Sequence, residues 1–144
     1  MKALDYFTAH DKERIGHSVK DAEKNTSGEI RVYLEDHCKG DVMDRAAFVF
    51  AELQMHKTEQ RNGVLIYLAL KEKKFAVIGD AGINTIVGPD FWNSVKELML
   101  GHFKHGRFTD GLMAGIAEAG KILQTHFPFE KGDTNELSDE VVIR

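Results

Sequence analysis

Two apolar runs separated by four charged residues constrain this fold more than any other feature. They are Val64-Leu65-Ile66-Tyr67-Leu68-Ala69-Leu70, then Lys71-Glu72-Lys73-Lys74, then Phe75-Ala76-Val77-Ile78. Neither run alternates apolar with polar residues, so each reads as a strand covered on both faces. A connector this short makes the two an antiparallel hairpin with a solvated turn. Gly79-Asp80-Ala81-Gly82 then ends the second strand, and its glycines let another backbone or a ligand come close, so that Asp80 projects from the sheet edge.

The flanking segments alternate between helix and strand signals. Thr8 and Asp11 resemble a capping box, and Ile15, Val19 and Ala22 follow at helical spacing, which predicts a helix over 8–24. Asn25-Thr26-Ser27-Gly28 is turn chemistry. Residues 29–35 then alternate, with Ile30, Val32 and Leu34 on one face and Arg31 and Tyr33 on the other, as in a partly exposed first strand. Ala46, Val49 or Phe50, and Leu53 mark a second helix ending near Met55, and a polar connector leads to Gly63. After the hairpin, residues 83–87 read as a short helical turn. A third helix spans 89–104, with Pro89 at its first position and a stripe of Trp92, Val95, Met99 and Phe103. A fourth begins at an N-cap, Thr109, and carries Leu112, Ile116, Ala119 and Leu123 to about His126 before Pro128 stops it. Residues 130–144 are acidic and irregular in pattern, except that Val141-Val142-Ile143 fits an edge strand.

At 144 residues the chain fits one domain, long enough to bury about two-thirds of its unfolded surface. We divide it into a domain over 1–128 and an acidic tail over 129–144. With a net charge of -4 and interspersed signs, no broad positive field would attract nucleic acid or anionic lipid. MKALDYFTAH reaches charged residues before an export signal can form, and no apolar run has the length of a membrane span, so a cytoplasmic protein is expected. The single cysteine, Cys38, excludes an internal disulfide framework, and its neighbour His37 lacks a third orienting group for nucleophilic chemistry.

A strand, a helix and a second strand of one sheet form a parallel crossover, and the hairpin then reverses direction. One sheet edge therefore gathers Gly28-Glu29, Arg61-Asn62-Gly63 and Gly79-Asp80, with Asp90 on the following helix and Asp110 more distant. Glu29, Asp80 and Asp90 offer hard oxygen ligands, with the Asn62 amide completing a shell suited to calcium or magnesium. The spacing is not that of an EF-hand, so ligands from separated elements imply modest affinity. A second reading uses the same residues: Arg61 pairs with Glu29 or Asp80 and the edge is purely structural. For Asp90 and Asp110 taken singly, a helix N-terminal charge suffices. His102 and His105 read as a solvated helix end, and Phe91, Trp92, Phe103 and Phe108 as core. Gly79 and Gly82 are too close for a dinucleotide fingerprint, and the chain has no phosphate-binding glycine-lysine loop.

Taken in order, Thr26-Ser27-Gly28-Glu29-Ile30-Arg31-Val32, Arg61-Asn62-Gly63-Val64-Leu65, Val77-Ile78-Gly79-Asp80-Ala81-Gly82-Ile83, Phe108-Thr109-Asp110-Gly111-Leu112 and Asn135-Glu136-Leu137 resemble a stand-alone TPM domain from about Thr8 to the tail. The resemblance implies a three-layer αβα sandwich with a mixed sheet and about four helices, calcium or magnesium binding, and for some members a phosphatase activity. Longer relatives carry an export signal and a membrane anchor that this sequence does not match. Three functions follow. The chain is a divalent-cation-binding module of regulatory or adaptor type, a metal-assisted phosphatase using Asp80 and Arg61, or an ion-independent module whose protein partner meets strand one or the tail.

Overall fold

A computed structural model describes residues 2–88, 90–130 and 136–144. After a one-turn helix α1 (Ala3–Tyr6), the chain forms α2 (Ala9–Glu23), β1 (Glu29–Glu35), α3 (Val42–Glu52), a 3-10 turn (Met55–Lys57), β2 (Gly63–Ala69), β3 (Lys74–Gly79), α4 (Ala81–Val87), α5 (Asn93–Phe103), α6 (Phe108–His126) and β4 (Val142–Ile143). The result is a mixed α/β fold whose four strands lie in the order β3-β2-β1-β4. The first two strands are parallel, the hairpin strand β3 is antiparallel to β2, and β4 runs parallel to β1.

Local chemistry explains most boundaries. Thr8 accepts from the Asp11 amide while the Asp11 carboxylate accepts from the Thr8 amide, so the expected capping box starts α2. Asp41 caps α3 by accepting from the Met43 and Asp44 amides. The expected turn at 83–87 is the helix α4, which raises the count of helices longer than one turn from about four to five. Asp80 caps α4 through the Ala81 amide at 2.7 Å. α5 begins at Asn93 because residues 90–92 form a turn closed by the Asn93 amide on the Asp90 carbonyl at 3.2 Å. The expectation for Pro89 lies outside the described residues. Thr109 is not the cap of α6 but its second residue. Arg107 precedes the helix, and the Tyr6 hydroxyl, distant in sequence, accepts from the Phe108 amide at 3.3 Å.

Strand residues divide between two hydrophobic clusters, as a period of two requires. Ile30, Val32, Leu34, Val64, Ile66, Leu68 and Val77 join Ile15 and Val19 of α2, Val95 and Met99 of α5, and Leu112, Ile116 and Leu123 of α6. Tyr33, Leu65, Tyr67 and Ala76 join Ala46 and Val49 of α3 and Met55 of the 3-10 turn. Each fully buried aliphatic side chain contributes about 2 kcal/mol. The first strand is not partly exposed: six of its seven residues are buried. α3, Leu137 and Val142 cover the face on which its polar residues lie.

Candidate functional site

The strand register gathers the expected end of the sheet. Glu29 pairs with Gly63, Val64 pairs with Gly79, and the Asp80 amide donates to the Gly63 carbonyl at 2.9 Å. Asn62 precedes β2, and its carbonyl accepts from the Glu29 amide at 3.3 Å.

Arg61 and Asp80 hold each other. Arg61 adopts a left-handed backbone (φ 51°), and its Nε and Nη2 donate to the two Asp80 oxygens at 2.8 Å each. The Asp80 side chain is 4% exposed, whereas that of Arg61 is 49% exposed. The hydrogen bonding to the Asp80 carboxylate, and then its charge, raise the Arg61 guanidinium above its ordinary value, against the opposing effect of burial. Gly82 makes this possible, because a Cβ there would lie 2.1 Å from the Gln60 carbonyl oxygen. Its amide donates to the Arg61 carbonyl at 2.9 Å, joining the 58–62 turn to α4. Gly79 is also tightly packed, though less so, with Trp92 Nε1 3.1 Å from where a Cβ would stand. Of the two partners expected for Arg61, the structure selects Asp80.

Glu29 has no such cation. It is 3% exposed, and one of its oxygens accepts from the Leu137 amide. The other, Oε2, is buried without a hydrogen-bond partner, as is Asn62 Oδ1 on the adjoining strand end. Burial pushes the Glu29 carboxyl up to about 7, reinforced by the charges of Glu136 and Asp139 and opposed by hydrogen bonds from the Leu137 and Glu136 amides. A buried acceptor with no donor is costly unless a proton or a cation compensates it.

The remaining predicted residues do not join Glu29. Asp90 lies exposed in the turn before α5. Asp110, in the first turn of α6, stands 3.7 Å from Arg14 and is 53% exposed. Among the described residues, no three His, Cys, Asp or Glu side chains are grouped as a metal ion requires.

The carboxylates nearest Glu29 were not among those the sequence singled out. Glu23, at the end of α2, accepts from the Ile30 amide at 2.8 Å and contacts Asp139. Burial, then the Asp139 contact, pushes it up to about 9. Asp139 Oδ1 is also buried without a partner. A signal for Glu23 exists in the sequence: an acidic side chain in a last helical turn opposes the helix dipole. Glu136 entered the sequence reading only within the Asn135-Glu136-Leu137 stretch, and no local pattern announces Asp139; both act on Glu29 through the tail.

At the far end of β1, Glu35 is fully engaged. Arg45 Nε and Nη2 donate to its two oxygens at 2.8 and 2.9 Å, and the Tyr67 hydroxyl also donates to it. Burial alone would raise this carboxyl, but those hydrogen bonds outweigh it and hold Glu35 below its ordinary value. Cys38 is buried, with its thiol on the Gly40 carbonyl at 3.6 Å. His37 Nδ1 lies 3.1 Å from Glu72.

Known structures share this architecture. The chain is similar to the BA42 protein of the psychrophilic bacterium Bizionia argentinensis, at 44% identity over 99% of both chains and a TM-score of 0.92. The N-terminal domain of a P. gingivalis protein shares the fold at 15% identity over 83% of this chain and 78% of that one, with a TM-score of 0.69. The N-terminal domain of the cg2496 protein of Corynebacterium glutamicum shares it at 11% identity over 84% and 76%, with a TM-score of 0.67. No curated protein matches the chain. No helix among the described residues is long and apolar enough to cross a membrane. The TPM domain model matches residues 2–122, and with the near-complete match to BA42 this establishes that the chain belongs to the TPM domain family.

Proposed function

We propose that this protein is a divalent-cation-binding module of regulatory or adaptor type, with the ion at the Glu29 end of the sheet. The observation that carries this is the buried Glu29 Oε2, which has no hydrogen-bond partner, beside the similarly unpartnered Asn62 Oδ1. One or two protein oxygens with water completing the shell is the mode of magnesium, and calcium's looser geometry accepts the same donors at modest affinity. Asp80 and Asp90 act from the rim, Asp80 holding Arg61 near the strand ends and Asp90 adding negative charge. Asp110 contributes only to the general field. The hydrophobic clusters formed by alternate strand residues support the three-layer sandwich that the family resemblance implies.

The phosphatase reading requires Asp80 to hold a metal and Arg61 a phosphate. Their mutual two-point contact puts that reading second. An ion-independent partner on the face of β1 ranks third, because that face is covered.

Thermal unfolding in calcium or magnesium, for the native chain and for Glu29→Gln, tests the proposal. A ligand that binds only the folded state stabilises it by about 2.7 kcal/mol at a hundredfold excess over its Kd. The midpoint should rise with millimolar ion in the native chain and in Asp80→Asn, and stay unchanged in Glu29→Gln. Equal responses in the native chain and Glu29→Gln would contradict the assignment.

A further inference from the structure

β3 ends the sheet on the side away from β4, and no described strand pairs with its outer edge. A groove of about 300 Å³ lies at the end of that strand. It is lined by Met43 of α3, Ile78 and Gly79 of β3, Gly88 after α4, and Trp92 and Lys96 at the start of α5. Most of these side chains are apolar, and Met43 is 45% exposed. The volume is at the small end of those that hold ligands, roughly 300–1,000 Å³.

Three features of the α5 side select an anionic head group. Trp92 is 5% exposed, and its Nε1, packed against Gly79, is buried with no acceptor. An indole nitrogen can only donate, so the missing partner is an acceptor. Trp92 also stands at the N-cap of α5 without a side-chain cap, and the first turn holds no acidic residue. The partial positive charge of that helix end is therefore uncompensated within the helix. Finally, the Lys96 amide donates to the Trp92 carbonyl at 3.0 Å, which sets the two side chains one turn apart on one side of the helix. Lys96 is half-buried, and its ammonium has no partner among the described residues. The carboxylates near in sequence do not fill the role. Asp80 is held by Arg61 and by the Ala81 amide, and Asp90 lies exposed in the turn before α5. With a single ammonium in the groove and these two acids flanking it, one negative charge on the ligand is favoured over two.

We propose that this groove binds a small amphipathic carboxylate, with its head at Trp92 Nε1 and Lys96 and its apolar chain against Met43 and Ile78. The head supplies the acceptor that the indole lacks and a counter-charge for the ammonium, while the chain displaces water from the apolar lining. The site shares no residue with the Glu29 end of the sheet and needs no divalent ion.

Trp92 is the chain's single tryptophan, so its fluorescence and its indole N–H resonance report on this groove alone. The test follows both in isotope-labelled protein, in chelator, as sodium hexanoate, hexanamide or sodium acetate is added. Hexanoate should give a saturable change in emission, a shifted indole N–H and backbone shifts at 78–79 and 92–96. Hexanamide, the same chain without the charge, should bind about tenfold more weakly, and acetate, the head without the chain, more weakly still. Lys96→Met keeps an apolar stem and should lower the affinity for hexanoate to that for hexanamide, with hexanamide itself unaffected. No saturable response to hexanoate up to tens of millimolar would overturn the site. Equal affinities for hexanoate and hexanamide would also overturn it, because the groove would then select no charge. A full hexanoate response in Lys96→Met would overturn the placement of the head. A response that requires divalent ion would put the carboxylate on the ion at Glu29, overturning this site while supporting the cation reading.

Discussion

Glu29 and Glu35 begin and end the same strand, lie on the same face of the sheet and are both buried, at 3% and 9% exposure, yet meet opposite surroundings. Glu35 receives a two-point guanidinium contact and a tyrosine hydroxyl. Glu29 is met only by backbone amides, those of Leu137 and Glu136, faces other carboxylates and keeps an oxygen without a donor. A folded chain can satisfy a buried carboxylate at this depth, because it does so at Glu35. The deficit at Glu29 therefore needs its own account, and a cation supplied from solution provides one. Arg61 and Asp80 lie on the satisfied side of this contrast, although the sequence places them beside Glu29.

The contrast breaks most sharply at Arg45. Arg45→Ala leaves Glu35 buried with only Tyr67, and urea unfolding should show a loss of about 3 kcal/mol. The pH dependence of the two ends should have opposite sign. Glu35 is held below its unfolded value of 4.5, so its contribution is present above that pH and disappears as pH falls through the folded value. Glu29 is raised from 4.5 to about 7, so the folded chain holds its proton more tightly and its stabilising effect, full below 4.5, is lost as pH rises to about 7. Thermal midpoints of Glu35→Gln and Glu29→Gln against the native chain, measured without divalent ion from about pH 2 to 8, separate the two signs. In chelator at pH 8, Glu29→Gln should be more stable than the native chain by about 1 kcal/mol, because an amide replaces an uncompensated buried charge. The smallest effect belongs to Phe48, whose ring lies 5.4 Å from the Arg45 guanidinium. Phe48→Ala should cost about 0.5 kcal/mol, and nothing when combined with Arg45→Ala.

The hairpin, the parallel crossover and the gathered strand ends were legible in the sequence because apolar runs and a short connector leave few topologies. Capping chemistry placed the start of α2 for the same local reason. The start of α6 was legible to within a residue but its cap was not, since the Phe108 amide depends on Tyr6, roughly a hundred residues earlier. The apparent exposure of β1 misled for a related cause: its polar residues lie on a face covered by α3 and the tail. At the site, the sequence identified Glu29, Asn62, Arg61 and Asp80 but left open which partner Arg61 takes. The left-handed turn at Arg61 and the close approach of Gly82 to Gln60 decide that, and neither has a signature in residue type beyond the glycine. Glu23, Glu136 and Asp139 meet only through tertiary contact.

The most direct measurement is a magnesium and calcium titration of isotope-labelled protein, followed at each backbone amide. The account predicts saturable shifts concentrated at residues 28–30, 61–63 and 136–139, with the amides around Glu35 and Arg45 unmoved. Spectra that stay flat at the Glu29 end through millimolar ion, or shifts centred on Asp90 or Asp110 instead, would contradict it.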